Sequence, residues 1–264
     1  MVSDFRPISL CNVSYKIMSK ILANRLNYVL NNLISNEQSG FLSGRSPLNN
    51  VIAVQEMAHS INQDRSYTPR MILKIDIEKA YDSLNWNAIL ATFARMGFPS
   101  PWIAWIRALL DAVTFSILVN GQPSNWITPS RGVRQGDPIS PYLFIIVSQN
   151  LSVILNRARN IDMIPGFDKN LHYNFNHLMY ADDLILISHA TRRIARNIKF
   201  CLAIYAAMTG QYFNSSKSAI YFPEWFNRRV ALSIKNILEM EIGHFPFKYL
   251  GVIISHKKLA RTQF

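Results

Sequence analysis

The sequence predicts an α+β fold in which helices lie on one face of a largely antiparallel sheet. Three observations predict it. Long segments such as "SYKIMSKILANRLNYVLNNL", Ser14 to Leu33, repeat apolar residues at helical spacing. Short apolar runs such as "MILKIDI", Met71 to Ile77, read as buried strands. Turn-forming residues interrupt paired apolar runs in "LVNGQP" and "MYADDL", as antiparallel hairpins require.

In chain order, the first helix places Met18, Ile21, Leu22, Leu26, Val29, Leu30 and Leu33 on its apolar side. A second follows Pro47, with Val51, Val54, Ala58 and Ile61 on one face. The strand Met71 to Ile77 leads into a helix around Asn85 to Met96. Ser100 to Asp111 is helical, started by a serine cap and a proline. "TFSILVNGQPSNWIT" is a hairpin turning at Asn120 and Gly121. Tyr142 to Ala158 is a largely apolar, central helix. "FNHLMY" and "LILIS" are strands, with Ala181, Asp182 and Asp183 at or near their turn. "ATRRIARNIKFCLAIYAAMTG" is a long helix with Arg192, Arg193, Arg196 and Lys199 in its first half, closed by Gly210. "SAIYF" and "YLGVII" are the last two strands.

The 264 residues suffice for one large or two small domains. Hydrophobic residues at 49% against 17% charged exclude a disordered chain. Lysine and arginine number 28 against 16 acids, a net charge of +12 that favours a polyanionic partner, nucleic acid before membrane. Charge alone does not separate that reading from a solvated basic surface. Cys11 and Cys201 suggest neither a metal site nor a disulfide framework. The N-terminus lacks the pattern of a signal peptide, and the aliphatic run "LFIIV" is far too short to span a bilayer. A soluble intracellular protein is expected, in the nucleus, the cytoplasm or both.

Asp182 and Asp183 are adjacent like charges, an arrangement that repels and raises the pKa of one partner. A solvated hairpin tip explains one aspartate more easily than two. Paired carboxylates at a strand turn suit a divalent cation, because hard ions such as Mg²⁺ take oxygen ligands and keep phosphates as the others. Two-metal phosphoryl transfer needs a further carboxylate from another strand. Asp76, at the end of the strand in "LKIDIEKAYDSLNW", supplies it. Glu78 and Asp82 are rival acids in that stretch; both lie where the next helix begins, where the helix dipole favours carboxylates.

With "KIDIEKAYDSLNW", "RGVRQGDPISPYLF" and "YADD", the chain resembles motifs A, B and C of reverse transcriptases. Their flanks are similar to those of non-long-terminal-repeat (LINE-type) retrotransposons, particularly plant ones. "FRPISLCNVSYKIMSKILANRL" and "NEQSGFLSGRSPLNNV" resemble the two finger motifs, "TGQYFNSSKS" motif D, and "FKYLGVII" the motif at the base of the thumb. The resemblance covers nearly the whole chain. It implies a right-hand polymerase fold, with residues 1–70 as fingers and 71–264 mainly palm, part of the fingers being inserted between motifs A and B.

It implies roles residue by residue. Asp76 and Asp182 correspond to the metal-binding pair, joined by the main chain of Ile77, with Asp183 the accessory carboxylate. Tyr81 corresponds to the aromatic beside the 2′ position of the incoming sugar; a core aromatic is the alternative. Gln135 and Gly136 correspond to the segment that contacts nucleotide and template, while Asp137 and Pro138 read as the cap and start of the following helix. Lys217 corresponds to the lysine that protonates or neutralises the leaving pyrophosphate; a solvated lysine is the alternative. Arg45 sits where a finger residue meets the triphosphate; its competitor is an arginine that ties the backbone. Arg6 is a weaker triphosphate candidate.

The implied activity is RNA-directed DNA polymerisation with two Mg²⁺ ions, Mn²⁺ substituting, on an RNA template, a DNA primer and deoxynucleoside triphosphates. No membrane partner is implied, and no protein partner is readable. Tyr180 departs from the phenylalanine common in LINE-type enzymes but leaves the metal ligands alone. Fingers and palm without endonuclease, thumb, zinc knuckle or RNase H are expected. A non-catalytic nucleic-acid-binding remnant, or a maturase-like splicing factor of group II introns, stands as the alternative.

Overall fold

The computed structural model describes residues 9, 11–63, 68–168 and 174–256. Arg6 lies outside them. In chain order the elements are α1 (Val13–Leu33), α2 (Pro47–Gln63), β1 (Arg70–Asp76), α3 (Trp86–Arg95), α4 (Ser100–Asp111), β2 (Leu118–Val119), β3 (Gln122–Pro123), α5 (Ser140–Asn160) and β4 (Phe167–Asp168). Next come β5 (Asn174–Phe175), β6 (His177–Tyr180), β7 (Asp183–His189), α6 (Arg192–Thr209), β8 (Ala219–Tyr221), α7 (Arg228–Leu238), β9 (Glu241–Ile242), β10 (Phe247–Tyr249) and β11 (Val252–Ile254).

The fold is α+β around a five-stranded sheet in the order β6-β7-β1-β8-β9. Its pairs are antiparallel except β8 with β9, which run parallel. The sheet is covered on both faces, whereas helices on one face were expected. Met71, Leu73, Ile75, Leu184 and Leu186 pack beneath α5, α6 and α7. Ile72, Leu178, Ile185, Ile187 and Tyr221 pack beneath α2 and the β10–β11 hairpin. The reason is visible in β1 and β7, whose runs are apolar at consecutive rather than alternate positions, so each face needs a cover.

A second core joins α1, α3, α4 and the first half of α5. Only part of the apolar side expected on α1 is used. Leu22, Leu26 and Leu30 are buried, but Met18 is 58% and Ile21 48% exposed. The β2–β3 turn has positive φ at Asn120 and Gly121, the mirror-image turn that Asn-Gly signals. α6 begins at its Thr191 cap and ends at left-handed Gly210 as expected. α4 differs slightly: Ser100 is its first residue, and Pro99 rather than serine precedes it.

"YLGVII" is not one strand, because Leu250 and Gly251 take positive φ and turn β10 into β11. α7 went unrecognised, although Asn227 accepts hydrogen bonds from the amides of Arg229 and Val230 as a cap and Ala231, Ile234 and Leu238 share a buried face.

β6 begins at His177, fully buried between Asn176 and the Ser152 hydroxyl, 2.7 and 3.0 Å away. Burial pushes its pKa down to about 4 against the opposing pull of Glu37. The unfolded chain, with an ordinary histidine near 6.5, therefore binds a proton that the folded one refuses. Stability from this site is complete above about pH 6.5 and falls as pH drops towards 4. Urea unfolding at several pH values should show that fall, and His177→Asn should flatten it.

Candidate active site

The turn between β6 and β7 is two residues long, because Tyr180 pairs with Asp183 and only Ala181 and Asp182 lie between. Ala181 has φ 53, a conformation that usually belongs to glycine. Asp76, the last residue of β1, is the cross-strand partner of Asp183. Opposed residues of an antiparallel pair project from the same face with Cα atoms roughly 4.5–5.5 Å apart. The sequence reading joins Asp76 and Asp182 as the metal-binding pair with Asp183 as accessory; register sets Asp183 opposite Asp76 and leaves Asp182 beside it in the turn.

Strand alternation puts both carboxylates on the α2 and β10–β11 side of the sheet. Asp183 there lies within electrostatic reach of Tyr249, whose hydroxyl pKa burial pushes well above its usual value, with Asp183 adding to the rise. Asp182, in the turn, helps raise the pKa of Tyr81, which burial pushes to about 12.

The Asp76 backbone is fixed by motif D. Its N–H donates to the Ser218 hydroxyl at 3.1 Å, and its carbonyl accepts from the Asn214 amide at 2.8 Å. Glu78 N–H donates to the Tyr212 carbonyl. Residues 76 and 78 thus bond toward the motif D side, so the Ile77 carbonyl between them points the other way, toward β7. Lys217 is exposed in the same turn, with its amide held by Asn214. Sequence reasoning passed over Asn214 and Ser218, although both lie within its motif.

Tyr81 is half-buried and stacks on Phe144 with ring centroids 5.5 Å apart and planes at 8°. Its carbonyl accepts from the Val133 amide, which lays the Arg131–Asp137 segment along it. Gln135 lines a groove of about 740 Å³ together with Tyr15, Asp82, Trp86, Arg131 and Arg134. Gly136 beside it has φ 95, which glycine adopts freely. Asp137 does not cap α5. It accepts hydrogen bonds from the Tyr15 and Ser19 hydroxyls and pairs with Arg134 at 3.7 Å, fastening α1 to the start of α5. Glu78 and Asp82 precede rather than begin α3, which Asn85 caps.

Arg45 resolves to its competing role. Its guanidinium donates to the carbonyls of Ile34 at 2.8 Å and Gln38 at 2.6 Å, and to that of Ser35. With the Asn31 carbonyl as a fourth acceptor at 3.4 Å, these bonds to main chain make it a staple of the α1–α2 connection rather than a triphosphate ligand. The basic residues of α6 are exposed, with Lys199 paired to Glu239 at 2.6 Å. α6 covers the sheet face opposite the one from which Asp76 and Asp183 project.

Among the described residues, no three His, Cys, Asp or Glu side chains form a metal-holding group by themselves. The donors that are present still fit Mg²⁺ or Mn²⁺. That ion is commonly held by one or two carboxylates and completed by substrate phosphates, so a complete protein cage is not required.

This combination of sheet, turn and carboxylates is that of a polymerase palm. The model of the family "Reverse transcriptase (RNA-dependent DNA polymerase)" matches residues 2–254, and the chain belongs to that family. Its members generally use divalent metal ions. Within the family the chain is of the non-long-terminal-repeat type. It is 35% identical over 70% of its length to the Pol polyprotein of a type-2 retrotransposable element of Drosophila melanogaster. It is 26% identical over 83% of its length to an uncharacterized 149 kDa protein of transposon TX1 from Xenopus laevis. The chain spans 16% of the length of each of these relatives. Among solved structures, telomerase from Candida albicans shares the fold at a TM-score of 0.54 and 11% identity, over 91% of this chain and 36% of that one. Among the described residues no helix is long and apolar enough to cross a membrane.

Proposed function

We propose that this chain is the fingers and palm of an RNA-directed DNA polymerase, extending a DNA primer along an RNA template. The observation behind this reading is Asp76 opposite Asp183 at the ends of adjacent strands, with Asp182 in the turn between β6 and β7. Asp76, Asp182, Asp183 and the Ile77 carbonyl would hold two Mg²⁺ ions. Bound there, the ions would neutralise the triphosphate and lower the pKa of the primer 3′-hydroxyl. The repulsion among the carboxylates is the cost of that affinity. Tyr81 borders the sugar, Gln135 and Gly136 border the base pair, and Lys217 attends the pyrophosphate. The core shared by α1, α3 and α4 supports a finger layer completed from between motifs A and B.

Extension of a primer on an RNA template with Mg²⁺ or Mn²⁺ tests this reading. Template-dependent addition supports it, and a folded protein that adds nothing with either ion contradicts it. Primer–template affinity should also fall with salt, by a slope of about 0.7–0.9 for each phosphate contact. Because α6 covers the far side of the sheet, Arg131→Ala should lower that slope by about one contact and Arg193→Ala should not.

A further inference from the structure

We infer that Gln38 is a positioning residue that locks the turn bearing Asp182, and so couples the α1–α2 connection to the metal site. The inference rests on the metal-site reading above. Gln38 is 1% exposed and spends its amide on that turn. Its Oε1 accepts from the Ala181 N–H at 3.0 Å and from the Gly40 N–H at 2.9 Å. Its Nε2 donates to the Ala181 carbonyl at 3.3 Å. Both main-chain groups of Ala181 are therefore held by one side chain.

The need for such a hold follows from Ala181 itself. Its φ of 53 is disfavoured for any residue with a Cβ, so the two-residue turn prefers glycine there. Left alone, the turn would relax to another shape and re-aim Asp182. Gln38 is in turn fixed by its surroundings. Ser39 N–H donates to the Met179 carbonyl and Met179 N–H to the Glu37 carbonyl, so residues 37–39 lie along β6 as a short parallel addition. Arg45 holds the Gln38 carbonyl at 2.6 Å. Gly40 permits the approach, because a Cβ there would stand 2.5 Å from the Ala181 nitrogen. A packing residue would need none of this matched donor and acceptor geometry.

The test is calorimetric Mn²⁺ binding by the whole chain and by Asp182→Asn, Gln38→Met and Gln38→Met with Ala181→Gly, each checked by thermal unfolding. Methionine keeps the volume of glutamine and removes the hydrogen bonds. Asp182→Asn should lose binding, as the underlying reading requires. Gln38→Met should weaken Mn²⁺ affinity about tenfold, the scale of losses when a ligand's support is removed. Ala181→Gly should restore most of it, since glycine takes the positive φ unaided. Undiminished affinity in folded Gln38→Met, or a loss that Ala181→Gly does not repair, would overturn the proposal. Full Mn²⁺ binding by Asp182→Asn would remove the metal reading and this proposal with it. Amide exchange in the unaltered chain needs no variant. The Ala181 N–H should be protected like the β6–β7 ladder, and exchange at the rate of a free loop would also overturn it.

Discussion

Asparagine at Asp76 or at Asp182 is expected to abolish metal-dependent primer extension while leaving the fold intact. The substitution keeps size and hydrogen-bonding oxygen but deletes the charge that divalent ions require. Metal stabilisation of the transferring phosphoryl group is worth several kcal/mol, and a loss of about 4 kcal/mol is about a thousandfold in rate. Stability should move the other way or not at all. Carboxylates crowded at adjacent strand ends repel one another, so removing one relieves the folded state, as is common at functional sites. Extension rate and Tm, measured together, separate the two effects. A lost rate with an unchanged or higher Tm fits the site. A Tm lowered by about 10 °C in step with activity would instead make these aspartates structural. Asp82→Asn should retain activity, because Asp82 lies in the exposed stretch before α3.

Tyr81→Val is expected to raise ribonucleotide incorporation relative to deoxynucleotide by at least about tenfold, equivalent to about 1.4 kcal/mol of lost discrimination. The ring is only half-buried: one face rests on Phe144, and the hydroxyl end lies within the field of Asp182. That places it between the core and the carboxylates, where close-packed atoms would exclude a 2′-hydroxyl. The same substitution should cost about 2 kcal/mol of stability, less than for a fully buried aromatic. Single-nucleotide extension with each substrate, together with urea unfolding, measures both. If extension by both nucleotides fell equally with the ratio unchanged, Tyr81 would be a core aromatic and no more.

The elements and the acids were legible in the sequence, but several of their pairings were not. Val51, Val54, Ala58 and Ile61 form a buried face because helical spacing alone marks such a stripe. The Asn120-Gly121 turn was equally plain, since few residues accept positive φ twice in succession. Which aspartate opposes Asp76 depends on register, and a one-residue shift exchanges the faces. "YADD" alone does not say which residues the turn consumes. Arg45 was ambiguous because a guanidinium serves a triphosphate and a set of carbonyls equally well; only the folded connection brings the carbonyls of Ile34, Ser35 and Gln38 around it. Gln38 was invisible as a site residue for a related reason. An amide with no charge and no motif of its own shows its purpose only once the chain brings it to Ala181. The basic stretch of α6 had two readings, duplex or solvent, and packing of its apolar side beneath the sheet favours solvent.

In the proposed reading, Asp76, Asp182 and Asp183 form an incomplete divalent-metal site that substrate phosphates finish. The most direct measurement is Mn²⁺ affinity of the chain with and without a deoxynucleoside triphosphate and a primer–template ending in a 3′-deoxy sugar, which prevents turnover. Affinity should rise markedly when both are present, beyond what the nucleotide binds alone, and Asp76→Asn should abolish the rise. Mn²⁺ affinity indifferent to substrate, or an undiminished rise in Asp76→Asn, would contradict a metal site built on these carboxylates.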